Sequence, residues 1–285
     1  MPEHKRIYTT FSEADLKGFE PELKVGLLAT VNEEELPHIT LITTLTANSP
    51  RQLFWGQFSE GLSKEYIRKN PKTGFLIMTL DKNIWRGKAN FTKTAVAGKE
   101  YTLLNSTPMF RYNAYFGIHT IYYLDLIEQQ GKEPLPMGGI IRAAIKTLAA
   151  KTLSGKGSDK EVINPLTHSL IDKVGNLKFL SYTGEDGYPV IIPVMQAQTV
   201  GSGSIIFSSS VYVKELKLIS QDMVVAIFCM SLDMQTVLLR GVFKGFKTIA
   251  GLECGRINVD WVYNPMPPKP EQIYPEKKLQ AVTAF

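Results

Sequence analysis

The chain has 285 residues, 44% of them hydrophobic, and a formal net charge of +5. This length suits one large or two ordinary globular domains. Its longest apolar run, residues 223–230, is far shorter than the roughly 20 residues that span a bilayer, and the N-terminal segment has no apolar core of the kind found in secretory signals. With neither feature in the sequence, we expect a cytoplasmic protein with no membrane partner. Because the basic residues are spread along the chain, we also expect no nucleic-acid partner.

The cysteines and histidines do not indicate a metal or redox site. Cys229 lies inside an apolar run, where a buried, small hydrophobic residue is expected, and Cys254 is not spaced with it as a metal-binding pair. The four histidines show no HExxH spacing; they are His4, His38, His119 and His168. We therefore expect no protein-built metal site and, without a secretion signal, no structural disulfide.

The first half of the sequence predicts a series of strands interrupted by an acidic turn and a short helix. Alternating and β-branched apolar residues mark the strands. A serine before the helix and a proline after it mark the ends of the helix. The strands are predicted over residues 25–31, from 38 onward, and over 52–58, 73–80 and 85–94, with the helix over 63–70.

The second half repeats this order of elements. It starts with a hairpin whose Gly-Glu-Asp-Gly turn is a strong hairpin signal. A strand, a short helix and two further strands follow, and the Gly-Ser-Gly-Ser segment is expected to be a turn. The predicted elements are the hairpin over 177–199, the strands over 204–210, 222–230 and 236–246, and the helix over 213–220.

Landmark residues recur at matching distances in the two halves. Pro37 precedes the Lys64-Glu65 pair by 27 residues, and Pro189 precedes the Lys214-Glu215 pair by 25. The two prolines precede the Arg86-Gly87 and Arg240-Gly241 pairs by 49 and 51 residues respectively. Because order and spacing agree, we interpret the chain as two homologous β-rich domains.

The predicted domains are residues 1–133 and 164–285, the second ending in a proline-rich tail, with a helical linker over 134–163. The linker holds one predicted helix near residues 140–153, whose apolar stripe consists of Ile141, Ile145, Leu148 and Thr152. Its basic residues are Arg142, Lys146 and Lys151. We prefer an interdomain helix packed on the β domains, and a membrane-surface helix is the alternative.

Lys64 lies at the start of a predicted helix, where the helix dipole disfavours a cation. Ser63 is a suitable N-cap for this helix. One interpretation is an exposed lysine that tolerates the unfavourable field. The other is an anion site in which backbone N–H groups, the Ser63 hydroxyl and the Lys64 ammonium converge on a phosphate. Serines precede a lysine again at Ser209, Ser210 and Lys214, which favours the anion site.

Neighbouring residues add further ligand candidates. The second predicted strand carries hydroxyls at Thr43 and Thr44. Three aromatic residues, Trp55, Phe58 and Trp85, supply either core packing or a stacking surface for a ligand. Core packing is the commoner role of aromatic residues in strands.

The ordered set of these features resembles the pyridoxamine 5′-phosphate oxidase-like family of FMN-binding split barrels. The set is a hairpin, a strand, a Ser-Lys turn, a short helix ended by Asn-Pro, a strand, and a strand that contains Arg-Gly. It covers about residues 25–129 and, more weakly, 177–262. The resemblance implies a mainly β fold of two tandem Greek-key split β-barrels with short helices, which form a pseudo-dimer in one chain.

The resemblance also implies where a cofactor binds, because in this family FMN lies between two barrels. The second strand and the Ser/Thr and Lys after the third strand hold its phosphate. The implied first-half cofactor residues are Thr43, Thr44, Ser63 and Lys64, with Gln57 facing the flavin. The implied second-half residues, where the strand offers fewer hydroxyls, are Ser209, Ser210 and Lys214.

Flavin carries its own redox chemistry, so the lack of a conventional catalytic constellation is expected, and no catalytic residue is named. The resemblance implies an FMN-binding oxidoreductase that moves electrons or hydride between a reductant, such as NAD(P)H, and a small-molecule acceptor. A non-enzymatic FMN-binding or electron-carrier protein is the first alternative. The second is a haem-binding split barrel with His38 or His119 near its cleft. Pairing of two chains as a homodimer is open.

Overall fold

The computed structural model describes residues 6–20, 22–57, 59–108, 117–155, 157–249, 251–265 and 270–275. Within these ranges the chain forms two antiparallel sheets, each with eight strands, and six mostly short helices.

The first sheet contains strands rich in β-branched and aromatic residues, which suit a pleated, half-buried surface. Its strands are β1 (Lys24–Val31), β2 (Pro37–Leu41), β3 (Thr46–Ser49), β4 (Gln52–Gln57), β5 (Lys72–Thr79), β6 (Asn83–Ala95), β7 (Thr120–Gln129) and β8 (Glu133–Pro134). The helices that accompany it are α1 (Glu13–Gly18), α2 (Leu62–Lys69) and α3 (Lys99–Asn105).

The second sheet follows a long helix in the sequence. The helices of this part are α4 (Met137–Leu153), α5 (Pro165–Asp172) and α6 (Val213–Leu216). The strands are β9 (Leu177–Thr183), β10 (Pro189–Pro193), β11 (Gln198–Val200), β12 (Ser204–Ser208), β13 (Val224–Met230), β14 (Thr236–Ile249), β15 (Leu252–Asn264) and β16 (Glu271–Tyr274).

The two sheets have the same strand order. The first runs β2-β1-β5-β6-β7-β4-β3, and the second runs β10-β9-β13-β14-β15-β12-β11. In each sheet one further short strand pairs at the side, β8 with β6 and β16 with β15. This repeated topology confirms the prediction of a mainly β chain built from two tandem split-barrel repeats.

Backbone hydrogen bonds fix which residues correspond in the two repeats. The N–H of Ile42 donates to the carbonyl of Gly26 over 2.7 Å, and the N–H of Val194 donates to the carbonyl of Lys178 over 2.8 Å. Each bond lies where the second strand of a repeat ends. Gly26 in the first repeat therefore corresponds to Lys178 in the second.

The recurring Arg-Gly pair has a steric explanation in both repeats. A Cβ atom added to Gly87 of β6 would lie 2.0 Å from the carbonyl oxygen of Glu128. In β14, a Cβ on Gly241 would lie 2.1 Å from the carbonyl oxygen of Asn258. Both distances are far below van der Waals contact, so each strand needs glycine where it meets the next strand. The recurrence thus marks close strand contact.

Replacing this glycine is expected to disrupt the sheet. The Gly87→Ala variant should lose at least about 2 kcal/mol of unfolding free energy, because the backbone must shift to accept the methyl group. Gly138→Ala is the matched control, since nothing lies within 4 Å of its added Cβ and it lies in α4. Urea unfolding of both variants measures the difference. Equal stabilities would contradict the steric explanation.

Helix α2 begins earlier than the sequence predicts. Its N-cap is Gly61, which makes no side-chain capping bond, and Ser63 lies inside the first turn, fully buried. The prediction that Ser63 caps the helix is therefore wrong, because burial of the serine in the first turn places its hydroxyl against the neighbouring strand. The helix ends before Asn70 and Pro71, as the proline predicts.

Helix α4 confirms the helix predicted near residues 140–153 but buries a different face. The buried residues are Ile140, Ala143, Ala144, Thr147 and Ala150, which pack on β11, β12 and β15. Small alanine side chains allow close approach, and the Thr147 hydroxyl accepts a hydrogen bond from the N–H of Ser208 over 2.9 Å. The predicted buried stripe is instead solvent-exposed: Ile141 is 56% exposed and Ile145 is 63% exposed.

The chain divides into two compact units. The first unit comprises Met1–Pro136 together with Ser181–Ile191, and the second comprises Met137–Leu180 together with Ile192–Phe285. Within the first unit, Lys88 forms an ion pair with Asp186 over 2.7 Å. The buried Arg86 donates to the carbonyl of Ile191 over 3.1 Å. The domain limits predicted from the sequence stay a prediction.

Both cysteines are free and buried, Cys229 fully and Cys254 at 2% exposure. This confirms the interpretation of Cys229 as a small hydrophobic residue. Across the described ranges, no helix has the length and apolarity needed to cross a bilayer. The proline-rich tail lies largely outside the described residues, apart from β16 and its immediate neighbours.

Candidate functional site

The candidate site is the corner where β4 ends and α2 begins, and it lies wholly in the first unit. Side chains alternate along β4, so Trp55 and Gln57 share a face. Trp55 is fully buried and belongs to the main core cluster of this unit. The turn after Gln57 leads directly into α2 and brings Lys64 back beside Trp55.

Lys64 is the buried cation of this corner. Its side chain is only 6% exposed, its Nζ lies 6.0 Å from the centre of the Trp55 ring, and it donates to the carbonyl of Ser59. Burial lowers the pKa of Lys64 to about 8, and the nearby Glu60 opposes that shift. Among the described residues, Lys64 forms no ion pair. An ammonium in this position is only weakly compensated, so a bound anion would stabilise it.

Ser63 lies beside this cation with its hydroxyl available as a donor. The hydroxyl of Thr40 donates to the Ser63 oxygen over 3.1 Å, which leaves the Ser63 proton free to donate elsewhere. The N-terminus of α2 has no side-chain cap. Ser63 and Lys64 are therefore both buried in the first turn of α2, and their binding of an anion stays a prediction.

A chain of polar contacts crosses the same corner. The Gln57 amide donates to Glu60 over 2.8 Å and accepts from the Tyr122 hydroxyl over 2.7 Å. Arg68 of α2 donates to the same Tyr122 hydroxyl over 3.3 Å. The Tyr122 ring stacks on Trp55, with centroids 4.2 Å apart and planes within 6°. Gln57 is therefore held by partners on both sides.

Sequence reasoning missed three of these residues: Glu60, Arg68 and Tyr122. Arg68 lies in the last turn of α2, where a cation also suits the helix dipole, so its residue type alone indicates no site. Tyr122 comes from β7, whose pairing with β4 places it opposite Trp55 across a long sequence separation. No local signal in the sequence indicates that pairing.

The predicted threonines have different surroundings. The Thr44 hydroxyl accepts from the N–H of Gly56 over 3.0 Å and donates to its carbonyl over 3.2 Å, so it braces β4. The second repeat makes a corresponding contact, in which the Gln196 amide donates to the carbonyl of Ser208 over 2.9 Å. By contrast, the Thr43 hydroxyl is buried and has no hydrogen-bond partner in the described structure.

The second-half candidates have a different arrangement. The Ser209 hydroxyl contacts the Glu253 carboxylate, and the exposed Ser210 contacts the hydroxyl of Ser208 over 3.0 Å. Lys214 is exposed and lies in α6, a helix of four residues. It makes no hydrogen bond or ion pair with the described residues, so no buried cation like Lys64 forms here.

The remaining candidates are scattered. Trp85 is core, with its Nε1 donating to Asp15 over 2.7 Å, whereas Phe58 lies outside the described residues. His38 is buried against Tyr66, and the exposed His119 contacts its neighbour Thr120. Within the described ranges, no group of three or more His, Cys, Asp and Glu side chains is placed to hold a metal ion.

No family model matches the sequence, and no curated protein matches it significantly. Three similar solved structures are an FMN-binding protein from Syntrophomonas wolfei, the HupZ protein of Group A Streptococcus, and a protein described as a pyridoxamine 5′-phosphate oxidase from Lactobacillus delbrueckii. Their sequence identities to this chain are 14%, 12% and 16%, and their TM-scores are 0.33, 0.36 and 0.35.

The matches cover 39%, 44% and 44% of this chain and 77%, 99% and 96% of the respective neighbours. The neighbours include proteins described as FMN-binding and as a pyridoxamine 5′-phosphate oxidase, the kind of protein that the sequence resembles. The strand order of the chain itself establishes the fold.

Proposed function

We propose that the first unit binds FMN and that the protein is a flavin-dependent oxidoreductase acting on a small acceptor. The observation that carries this proposal is the buried Lys64 ammonium, which forms no ion pair with the described residues and lies beside the uncapped start of α2. A phosphate group is the anion that a helix N-terminus and a lysine bind together.

Two buried polar atoms without hydrogen-bond partners also support the proposal that the first unit binds FMN. The Nε1 of Trp55 and the hydroxyl of Thr43 are both buried and have no hydrogen-bond partner in the described structure. Leaving such groups unpaired costs free energy, so they commonly mark a place where a ligand or water is bound. Lys64, Ser63 and Thr43 would hold the phosphate.

When bound, FMN supplies the electron or hydride transfer. The chain's own residues bind and orient it. Lys64 neutralises phosphate charge, and the contacts from Gln57 to Glu60 and Tyr122 fix the amide at the end of β4. A fixed amide presents the same polar surface in every turnover, which is the positioning role expected of a protein around a flavin.

We further propose one flavin per chain. The second-half lysine, Lys214, is exposed and follows no buried serine in a helix start like that of α2. Ser209 in the second half contacts the Glu253 carboxylate. The first unit therefore offers the better-matched set of groups.

The absorption spectrum of the purified protein tests the proposal most directly. We expect a flavin spectrum, FMN as the flavin released on denaturation, and about one FMN per chain on titration of the apoprotein. A protein that neither carries nor binds FMN, or that shows a haem spectrum, would overturn the proposal. Oxidation of NAD(P)H by the loaded protein with an acceptor separates an enzyme from an electron carrier.

A further inference from the structure

Helix α4 exposes an apolar ridge on its outer face. The ridge consists of Met137, Ile141, Ile145, Leu148 and Leu153. Between 38% and 63% of each of these residues is exposed to solvent. The opposite face packs on β11, β12 and β15, so the orientation of the helix is fixed by burial and the ridge is turned away from the sheet. An apolar ridge this long marks an interaction surface.

The charges beside the ridge are all positive. Arg142 and Lys146 are exposed and form no ion pair with the described residues, and the α4 sequence contains no acidic residue. The third cation of the helix, Lys151, is neutralised by Asp172 over 2.5 Å. The ridge therefore combines aliphatic side chains with two uncompensated cations, a combination that suits an anionic lipid surface.

A cavity of about 430 Å³ lies at the C-terminal end of the ridge. Leu153, the last ridge residue, lines it together with Ser154, Lys247, Thr248 and Arg256. No carboxylate occurs among the described residues that line it. Arg256 donates to the Ser154 carbonyl over 2.9 Å, which uses one of its five N–H donors. The Ser154 hydroxyl donates to the carbonyl of Lys151 over 2.9 Å, which leaves two cations and the Thr248 hydroxyl to suit a phosphate diester.

We propose that the α4 ridge and this cavity form a surface that binds membranes rich in anionic phospholipid. The ridge would enter the interface along the length of α4, Arg142 and Lys146 would meet the headgroups, and the cavity would take a headgroup phosphate. This proposal revises the expectation of no membrane partner and is independent of flavin binding. The helix lies on the membrane and does not cross it.

Charge complementarity favours lipid over a second copy of the chain. A symmetric dimer through the ridge would place Arg142 and Lys146 of both copies near one another, and like charges at an interface are unfavourable. An anionic lipid surface meets the same cations with opposite charge. Each lysine or arginine near such a surface strengthens binding about fivefold.

Vesicle sedimentation with the full chain tests the proposal. We expect binding to vesicles of phosphatidylcholine with phosphatidylglycerol at low salt, and little binding to phosphatidylcholine alone. The double variant R142Q/K146Q should weaken binding about 30-fold. The double variant I141S/I145S should also lose binding, because it removes apolar side chains that enter the interface. Both pairs of residues are exposed, so the fold should tolerate the changes.

Two controls distinguish vesicle binding by this surface from nonspecific hydrophobic binding and from binding of a free phosphate compound. L232S removes an apolar side chain that is 84% exposed and lies outside α4, and it should bind vesicles as the wild type does. Glycerol phosphate at millimolar concentration should not displace the protein from vesicles, because it lacks the acyl surface that the ridge enters. Equal binding to neutral and anionic vesicles, no binding to either, or a dimer that I141S/I145S dissociates would overturn the proposal.

Discussion

Lys178→Met is expected to flatten the dependence of stability on pH. Lys178 is fully buried, and its ammonium donates to the carbonyls of Met195 and Ala197 over 3.2 and 2.9 Å. Burial lowers the pKa of Lys178 from 10.5 to about 8, although Cys229 and Asp172 act against the shift. Between those two pKa values the unfolded chain binds more protons than the folded chain. The unfolding free energy contributed by this group therefore rises with pH.

The size of the change in unfolding free energy follows from the shift of the Lys178 pKa. Over the window from pH 8 to 10.5, Lys178 should contribute about 3 kcal/mol, or about 1 kcal/mol per pH unit. Urea unfolding of wild type and Lys178→Met at pH 7, 8, 9 and 10 measures it. Cys229 does not confuse the comparison, because burial raises the pKa of its thiol to about 12, above the pH range measured. At pH 7 the variant should equal or exceed wild-type stability, since a buried charge has been removed.

Lys214→Met is the control for this series. Lys214 is exposed, so the same substitution there removes a lysine without removing a buried ammonium. Parallel curves for wild type and Lys178→Met over the whole pH range would show that Lys178 is not held as a buried ammonium.

Lys64→Met is expected to weaken FMN binding by about tenfold or more, since charge-assisted hydrogen bonds contribute roughly 1.5–3 kcal/mol. Riboflavin lacks the phosphate, so its affinity should not change. In the wild type, FMN affinity should fall as pH rises through about 8, where Lys64 loses its proton. Fluorescence titrations with both flavins at pH 7 and 9 measure these effects.

Lys214→Met is also the control for FMN binding. It removes a cation from the second unit and should leave FMN affinity unchanged. If Lys64→Met lowers riboflavin and FMN affinity equally, the lysine supports the fold of the corner and does not contact the phosphate. If only Lys214→Met weakens FMN binding, the cofactor site lies in the second unit.

Much of the fold could be predicted because its signals are local. Alternating apolar residues and turn residues located β4, β5 and β6, and matched spacing revealed the repeat. Helix α4 was predicted at nearly its true position, but its buried face was not. Helical periodicity identifies an apolar stripe, whereas the close approach of alanines such as Ala143 and Ala150 to a sheet decides which face is covered.

The site was only partly predictable for a physical reason. Ser63 and Lys64 adjoin in the sequence, so a local motif finds them. Tyr122 reaches the same corner through strand pairing, and Arg68 through the direction of a helix face. Lys64 is buried and Lys214 is exposed, although both begin a Lys-Glu pair, because burial depends on tertiary packing that the local sequence does not reveal.

The contact that braces the fourth strand of each repeat shows how far the two halves have diverged. A threonine hydroxyl makes it in one half, from Thr44 to Gly56, and a glutamine amide makes it in the other, from Gln196 to Ser208. The hydrogen-bonding role has been inherited while the chemical group has been exchanged. Ancestry in this chain is therefore recorded in backbone partners, and a residue-by-residue comparison of the halves understates their kinship.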